Sequence, residues 1–155
     1  MYPTLYSTLS KVEDNHWWFN TRRSWLRYVL KDKIQLPVSA RILDVGCGTG
    51  GTTKFLCRFG NVTALEKDPA AISLARQKLQ SVEIIHGDAN DLLSIFPPNQ
   101  FDLITVFHVM YHQWIEDDFL LLVNIRTLLK PGGHIILMEA AFPHLYRDHD
   151  ELAMG

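Results

Sequence analysis

The stretch Asp44–Gly51, which reads DVGCGTGG, stands between a short apolar run and a segment with helical character. The run Arg41–Val45 predicts a strand, and residues 52–58 predict a helix. Glycines allow a tight turn and let a ligand approach the main chain closely. A strand, a glycine loop and a helix in this order predict a ligand site at the carboxyl end of the first strand of an open α/β sheet.

Strand-like and helix-like segments alternate after the loop. Strands are predicted at Val62–Glu66, Val82–His86, Phe101–Phe107 and His134–Glu139. Helices are predicted over Thr52–Arg58, from Asp68 to Leu79 and from Asp91 to Phe96, and a last helix is predicted to begin at Glu116–Asp118. The apolar run in the fourth strand is continuous, which is typical of a parallel strand covered on both faces. The pattern predicts an α/β fold, a Rossmann-like doubly wound parallel sheet with right-handed crossovers.

Local signals set the expected helix ends and faces. Gly60 is expected to end the first of these helices in a left-handed conformation. Asp68 and Pro69 supply an N-cap and a first-turn proline for the next helix. The residues spaced to form the buried stripe of the last helix are Ile115, Phe119, Leu122, Ile125 and Leu129.

Residues 1–39 form a segment distinct from the domain at 40–155. Asn20 is expected to cap a helix over Thr21–Lys33. The aromatic run Trp17–Phe19 has two interpretations: a lid over the ligand pocket, with Arg22 or Arg23 meeting an anionic group, or packing of the helix onto the sheet. Packing is favoured because large aromatic side chains dominate ordinary cores.

A basic stripe of Arg23, Arg27 and Lys31 on the same helix is predicted to be a solvated face rather than a binding surface. The chain carries a net charge of −2, so any basic partner site must be local, and no nucleic-acid partner is expected. No apolar run approaches the ~18 residues of a membrane span, and no secretory signal is visible. Cys47 and Cys57 fit no disulfide framework, which favours a cytoplasmic protein. The seven histidines show no metal-ligand spacing, so no metal site is predicted.

Acidic residues around the loop separate the two ligands that such a loop commonly holds. Glu66, at the end of the second strand, suits the ribose of either a nicotinamide dinucleotide or S-adenosylmethionine. Asp44 precedes the first glycine and would repel a pyrophosphate, whereas it favours the ammonium and sulfonium of S-adenosylmethionine. Asp88, after the third strand, can accept a hydrogen bond from an adenine amino group. These residues favour S-adenosylmethionine.

The chain resembles the class I S-adenosylmethionine-dependent methyltransferases. The matching pieces, in family order across residues 41–139, are RILDVGCGTGG, VTALEKDP, HGDAND, FDLITV and LLKPGGHIILME. The segments HWWFNTRR and FPHLYRDHDE resemble a bacterial branch of this family, some of whose members accompany glycan or lipid biosynthesis. The resemblance implies the strand order 3-2-1-4-5 with two further strands, the last antiparallel.

The resemblance also implies which residues hold S-adenosyl-L-methionine and release S-adenosyl-L-homocysteine. Asp44 and the loop Gly46–Gly50, with Cys47 and Gly48 inside it, would hold the methionine part. Glu66 would hold the ribose. Asp88 and the backbone N–H of Ala89 would meet the adenine, which the stem of Lys67 would cover. Phe107, which ends the fourth strand, completes the predicted cofactor site. Cys47 is predicted to be a small filler rather than a reactive thiol.

The acceptor is expected beyond the fourth and fifth strands, where the chain reads Phe107–His112. His108 and His112 are the candidate bases, and Glu139 is a weaker candidate. The alternative for each of the two histidines is a structural role, with the ring bonded to the backbone at a helix end. The branch more often carries acidic residues at positions 108 and 111, and this chain departs from it at both, with His108 and Tyr111. The predicted acceptor is a small molecule or a lipid- or glycan-linked molecule.

The chain stops soon after the fifth strand, so the further strands are expected to be missing and the fifth strand to be an exposed edge. Pairing of this edge with a second copy, giving a homodimer, is the alternative. Two rival functions stay open. One is a non-catalytic methyltransferase-like module for binding or assembly; the other, weaker, is a nicotinamide-dependent oxidoreductase.

Overall fold

The computed structural model of the protein describes residues 3–139. Its sheet has five parallel strands in the order β3-β2-β1-β4-β5, as the resemblance implies. The strands are β1 Arg41–Val45, β2 Asn61–Glu66, β3 Glu83–His86, β4 Phe101–Phe107 and β5 Leu129–Met138. The helices are α1 Pro3–Val12, α2 Trp17–Tyr28, α3 Gly51–Leu56, α4 Pro69–Lys78, α5 Leu92–Ile95 and α6 Asp118–Leu128. None of the helices within residues 3–139 is long and apolar enough to cross a bilayer.

Alternate residues of the central strands feed two hydrophobic clusters. Leu43 of β1 packs in the cluster that holds the buried face of α6, and Ile42 packs in the cluster that holds Leu26 of α2. Because successive side chains of a strand point to opposite faces, the two clusters lie on opposite sides of the sheet. Both faces of β1 are therefore covered, and the open edge available to a ligand is the one at the carboxyl ends of the strands.

The predicted buried stripe of α6 is wrong for two of its five members, while Ile125 is buried and Ile115 and Leu129 pack partly buried against the same cluster. Phe119 is 76% exposed and Leu122 is 39% exposed, whereas Leu121, Ile125 and Leu128 are buried. Asp117 caps the helix by accepting a hydrogen bond from Leu120 N at 3.0 Å. The run Phe119–Val123 is apolar on every side of the helix, so the spacing rule fits more than one face and only packing selects among them.

The predicted start of α2 is also wrong. The helix begins at Trp17 rather than Thr21, and the cap is His16, whose Nδ1 accepts from Trp18 N at 3.3 Å. Asn20 lies inside the helix, where its side chain donates to Asn15 O. After Tyr28 the helix continues as a π-helical turn over Val29–Lys33. An imidazole nitrogen can accept a capping bond much as an Asn oxygen does, and that is why the start lies earlier.

Gly60 follows α3, but it is not in the left-handed conformation expected of it. A Cβ at this position would collide with the carbonyl oxygen of Ala40, just before β1. Glycine is therefore required here by a close approach of two backbones. By contrast, the Asp68 cap of α4 is confirmed, since its Oδ1 accepts from Ala70 N at 2.8 Å.

Strand β5 begins earlier than predicted. Leu129 already pairs with Phe101, and the segment Lys130–Gly133 is an irregularity that shifts the register before His134 pairs with Leu103. The left-handed Gly132 turns the chain inside this irregularity. Strand β5 lies at one edge of the described sheet. The expected helix and two further strands would fall beyond Glu139 and lie outside the described residues.

Candidate functional site

The glycine loop connects β1 to α3 at the carboxyl edge of the sheet. Gly46, Gly48 and Gly50 all have positive φ values, of 72°, 55° and 89°. A Cβ at Gly46 would collide with Cγ2 of Val109, which follows β4. At Gly48 no atom of residues 3–139 lies within 4 Å of where a Cβ would stand, so the loop backbone there is open with respect to the described residues. The loop thus joins two strand ends at one glycine and leaves the main chain accessible at the next.

Asp44 lies at this edge, but it is buried and its oxygens are already bonded. Oδ2 accepts from Thr53 Oγ1 at 2.6 Å, and Oδ1 accepts from Thr105 Oγ1 at 2.7 Å. Burial raises the pKa of Asp44, while the two threonine hydroxyls and the Arg22 charge oppose this rise. The Asp44 carboxyl group therefore connects β1, α3 and β4 next to the glycine loop.

Glu66 bridges the end of β2 and the glycine loop. Its Oε2 accepts from Gly48 N at 2.7 Å, and its Oε1 accepts from the N–H groups of Lys67 and Asp68, both at 2.9 Å. Each carboxylate oxygen has two lone pairs, so Oε2 retains capacity for a ligand hydroxyl. The predicted ribose residue is therefore held in one orientation beside the open part of the loop.

Asp88 and Lys67 form an ion pair at the end of β3. Lys67 Nζ lies 2.6 Å from Asp88 Oδ2 and stands over the Trp114 ring, 4.4 Å from its centroid. Asp88 Oδ1 accepts from Asn90 N and Asn90 Nδ2. Burial alone would raise the pKa of Asp88, but the Asn90 N–H and the Lys67 ammonium lower it below its ordinary value. The contacts of Lys67 beside Asp88 are thus made by its ammonium group and not by its methylene stem alone.

Three further predicted residues lie at the same edge. Cys47 is 7% exposed, and burial raises the pKa of its thiol, which makes it the inert filler that the sequence predicts. Ala89 is buried at the start of a short 3-10 turn after Asp88. Phe107 ends β4 and is 8% exposed. The structure therefore gathers all the predicted cofactor residues at the carboxyl ends of β1 to β4.

Two residues of the N-terminal segment that the sequence analysis missed also lie at the site. Tyr6 of α1 is buried beside Glu66 and Asp68, and burial followed by those two charges raises the pKa of its phenol. Glu13, 5% exposed, accepts from Thr49 Oγ1 at 2.8 Å and pairs with Lys78 of α4. Tyr6 lies in α1 and Glu13 just after it, and no signal in the sequence pointed to their contacts with distant residues.

Arg22 of α2 also reaches the site. Its helix packs on the side of the sheet where Leu26 and Ile42 share a hydrophobic cluster. Its Nη2 donates to Thr52 Oγ1 at 2.7 Å, and its guanidinium stands over the Phe19 and Phe107 rings, at 5.1 and 5.6 Å from their centroids. Burial lowers the pKa of Arg22, and the nearby Asp44 and Glu13 charges oppose this. Its Nε is buried and has no hydrogen-bond partner among the described residues.

Trp17 and Trp18, 68% and 43% exposed, do not pack α2 onto the sheet. That contact is made by Leu26 and Leu30, so the favoured packing interpretation of the aromatic run is wrong for these two tryptophans. Trp25, at 42%, is exposed as well. Arg23 bonds to Asp14 O and Asn20 Oδ1 at the surface, away from the glycine loop.

Glu139 lies past the end of β5, opposite the segment that follows β4. Its Oε1 accepts from Val109 N at 2.9 Å and Met110 N at 3.0 Å. Its Oε2 is buried and unbonded within the described part of the chain. Burial raises the pKa of Glu139, and the backbone N–H bonds oppose the rise. Glu139 thus anchors the 108–112 segment and keeps one oxygen uncommitted.

The two candidate histidines differ in environment. His108 has a φ of +58°, rare for a residue with a side chain, and its N–H donates to Met138 O at 2.8 Å. His112 stacks between the rings of Tyr111 and Trp114, with centroids at 4.4 and 5.3 Å. Burial, followed by neighbouring positive charge, lowers the pKa of His112 to about 4. The His112 ring is therefore neutral at pH 7 and a weak base.

A family model described as a methyltransferase domain matches residues 43–137, which include the glycine loop and all five strands in whole or part. Demethylmenaquinone methyltransferase of Bacillus licheniformis is 30% identical over 135 residues, which cover 83% of this chain and 56% of that protein. The chain spans about half the length of the curated relatives it matches.

Solved structures agree on the fold. DesVI of Streptomyces venezuelae matches with a TM-score of 0.66 at 24% identity, over 83% of this chain and 53% of that one. Phosphoethanolamine N-methyltransferase 2 of Haemonchus contortus, solved with S-adenosyl-L-methionine, matches with a TM-score of 0.64 at 23% identity, over 76% of this chain and 27% of that one. The chain belongs to the methyltransferase-domain family, within the class I S-adenosylmethionine-dependent methyltransferases.

Proposed function

We propose that the chain transfers a methyl group from S-adenosyl-L-methionine to a small-molecule acceptor. The observation that carries the proposal is the pair of buried carboxylates, Asp44 and Glu66, set against a glycine loop that is open at Gly48. Negative charge at a loop of this kind favours a cationic ligand over a pyrophosphate. The same observation argues against a nicotinamide cofactor.

The residues present fit this cofactor in three places. Glu66, held by backbone N–H groups, is proposed to accept hydrogen bonds from ribose hydroxyls, and Asp88 and Ala89 are proposed to meet the adenine. The open backbone at Gly48 suits the methionine part. In this proposal Cys47, Gly46 and Gly50 shape the loop, while Lys67 and Phe107 line its two sides.

Arg22 is the proposed partner of the cofactor's carboxylate. It is a half-buried cation next to the glycine loop, and its buried Nε lacks a partner within residues 3–139. An unsatisfied buried donor is unfavourable, and a carboxylate that accepted from it would relieve this and form a charge-assisted bond. We further propose that residues 1–39, through Tyr6, Glu13 and Arg22, close over the cofactor as a lid.

When bound, the cofactor supplies a methyl carbon attached to a good leaving group, so the protein's main task is positioning. Well-oriented groups reach effective molarities of roughly 10⁵–10⁸ M. The segment 108–112 and Glu139 are proposed to receive the acceptor. His108, His112 and Glu139 are the groups able to take a proton there, and the pKa of about 4 makes His112 a weak base at neutral pH.

The proposed acceptor is a menaquinone-like, lipid-linked small molecule. The support is the name of the curated relatives, demethylmenaquinone methyltransferases of Bacillus and Staphylococcus. Partly buried aromatic rings, Tyr111 and Trp114, flank His112 beside Glu139, and they suit a flat ring better than a charged glycan. The proposal concerns this region of the protein and names no nucleophilic atom.

The first experiment is calorimetric titration of the chain with S-adenosyl-L-homocysteine, with NADH as control ligand. Micromolar binding of the former, none of NADH, and loss of binding in Glu66→Ala are expected. No binding of either ligand by a folded chain would favour the non-catalytic module. Binding of NADH alone would overturn the proposal in favour of the oxidoreductase.

Arg22 is tested with a ligand that lacks the amino-acid part. Arg22→Met should weaken S-adenosyl-L-homocysteine at least about tenfold, the worth of one charge-assisted bond, and leave 5′-methylthioadenosine within about twofold. Arg23→Met, at the surface of the same helix, is the matched control and should change neither affinity. Equal weakening of both ligands by Arg22→Met would assign Arg22 to structure instead.

A further inference from the structure

Helix α2 exposes a face made of large aromatic side chains. Trp17 is 68% exposed, Tyr28 50%, Trp18 43% and Trp25 42%. These four residues are called the outer face of α2. Three of the four tryptophans of the chain belong to it. Such a concentration is unusual, because large aromatic side chains in soluble domains are mostly buried.

The outer face is one continuous surface of the helix. At about 100° per residue, positions 17, 18, 25 and 28 fall within an arc of roughly 100°. Away from this face the helix carries Leu26, which is fully buried against the sheet, and Arg22 lies at the border between the two, where it reaches Thr52. Helix α2 is thus divided between a side that packs on the domain and lines the site, and a side that meets the surroundings.

Positive charge accompanies this face. The stretch from Lys11 to Lys33 holds six basic and three acidic residues, in a chain whose net charge is −2. Arg27, Lys31 and Lys33 are exposed beside the aromatic residues, and the Lys33 ammonium stands 5.3 Å from the centroid of the Tyr28 ring. Asp14 and Asp32 are the exposed acidic residues of the stretch. The local charge is therefore opposite in sign to that of the whole chain.

We propose that the outer face of α2 docks on the surface of an anionic lipid bilayer. Tryptophan and tyrosine are enriched where membranes meet water, because their rings are apolar while their N–H or O–H groups stay hydrated. Lysine and arginine beside them are attracted to anionic headgroups. The combination of these aromatics with local basic charge fits that occupant better than a protein core.

The exposed face of α6 shows the contrast. Phe119, Leu122 and Val123 are exposed there, and none has a polar tip. Asp117, Asp118 and Glu116 begin this helix, so its charge is unfavourable to anionic lipid. Of these two exposed faces, the outer face of α2 carries both features of an interfacial surface, and the face of α6 carries neither.

Docking by α2 would bring the site to the acceptor. Trp17 and Trp18 lie in the first turn of the helix whose Arg22 contacts the α3 residue Thr52. A menaquinone-like acceptor is lipid-soluble, so this use of the surface rests on the proposed function. The docking itself does not, because it can be measured without cofactor or acceptor, and its failure would leave methyl transfer untouched.

The experiment is co-sedimentation of the 155-residue chain with vesicles of phosphatidylglycerol and phosphatidylcholine in equal parts, against vesicles of phosphatidylcholine alone. We expect binding to the anionic vesicles at least tenfold stronger than to the neutral ones, and weaker at high salt. Tryptophan emission should shift to the blue on binding, since three of the four tryptophans would enter the interface.

Surface variants with matched controls test the assignment to α2. Trp17→Ser/Trp25→Ser and Arg27→Glu/Lys31→Glu should each reduce vesicle binding about tenfold or more, given roughly fivefold per cation near an anionic surface. Phe119→Ser/Leu122→Ser on α6 and Lys54→Glu, an exposed cation on α3, should leave vesicle binding within twofold. Circular dichroism checks that each variant is folded.

Three outcomes would overturn the proposal. The first is absence of binding to anionic vesicles. The second is binding that the α6 variant removes and the α2 variants do not. The third is a dimer in sedimentation equilibrium that Trp17→Ser/Trp25→Ser dissociates, which would assign the outer face to a second copy of the chain.

Discussion

Two regions at the carboxyl edge of the sheet differ in how their buried polar side chains are hydrogen-bonded. One region lies at the ends of β1 and β2, and the other at the ends of β4 and β5. At the β1–β2 side every carboxylate oxygen of Asp44 and Glu66 accepts a hydrogen bond from the protein. At the β4–β5 side Glu139 Oε2 and His112 Nδ1 are buried and, among the described residues, unbonded. The polar atoms of the first side are therefore held in place by the described residues alone, whereas those of the second side are not.

The largest expected effect is on the free energy of unfolding, at the contact between Gly46 after β1 and Val109 after β4. Gly46→Ala places a Cβ against the stiff, buried Val109 and forces a left-handed alanine, so we expect a loss of about 3 kcal/mol in the free energy of unfolding. Chemical denaturation measures it. If the two sides were independent, adding Val109→Ala would not reduce the loss caused by Gly46→Ala.

Gly48→Ala is the matched control for this prediction. It has a similar positive φ but open space around the new methyl group, so only the backbone strain remains. We expect a loss of about 1 kcal/mol for Gly48→Ala. Equal losses for the two alanine variants would mean that the Val109 contact contributes nothing.

Two isosteric changes sharpen the comparison at the level of binding. Glu66→Gln removes the charge of a carboxylate that is oriented by three backbone N–H groups, so we expect S-adenosyl-L-homocysteine to bind about tenfold more weakly. Glu139→Gln keeps an oxygen for Val109 N and Met110 N, and it should leave this affinity within twofold. Titration calorimetry of both variants decides; a tenfold effect of Glu139→Gln would show that the two sides share one ligand.

His112 predicts a smaller, pH-dependent effect at the β4–β5 side. Its folded pKa of about 4 lies below the unfolded value of 6.5, so the unfolded chain binds the extra proton between these values. Stability is therefore full above pH 6.5 and falls as the pH drops towards 4. After discounting for solvent screening of the partly exposed ring, we expect a loss of about 1 kcal/mol.

The measurement is the free energy of unfolding between pH 7.5 and 4.5. His112→Phe keeps an aromatic ring between Tyr111 and Trp114 but cannot be protonated. This variant should lose about 1 kcal/mol less than the original chain over that range. An unchanged pH dependence would mean that His112 is not responsible for it.

The sheet was predictable because its signals are local. The glycine loop, the continuous apolar run of β4 and the Asp68 cap each depend on neighbours in sequence, and each is found as expected. The residues alone placed Glu66 and Asp88 at the ends of the second and third strands, and the resemblance added the strand order and Ala89. No periodicity alone could order five strands, because their order depends on contacts between distant segments.

The N-terminal half of the site was less predictable for a physical reason. Glu13 contacts Thr49 and Lys78, which lie 36 and 65 positions away in the sequence. The residues near Glu13 in the sequence do not predict these partners. Asp44 was placed correctly at the loop, but its bonds to Thr53 and Thr105 depend on how α3 and β4 approach β1. The exposed face of α6 was missed because an all-apolar run fits several faces equally.

The ion pair between Lys67 and Asp88 bears on how selective the proposed adenine end is. A ligand's amino group that hydrogen-bonds to Asp88 Oδ2 competes with an ammonium already 2.6 Å away, so binding there is an exchange of one donor for another. Specificity is a difference between two affinities, and an exchange contributes little to that difference. The site is therefore expected to discriminate weakly between a 6-aminopurine and a 6-oxopurine. Replacing Lys67 by an apolar residue would increase the difference in affinity between these two bases.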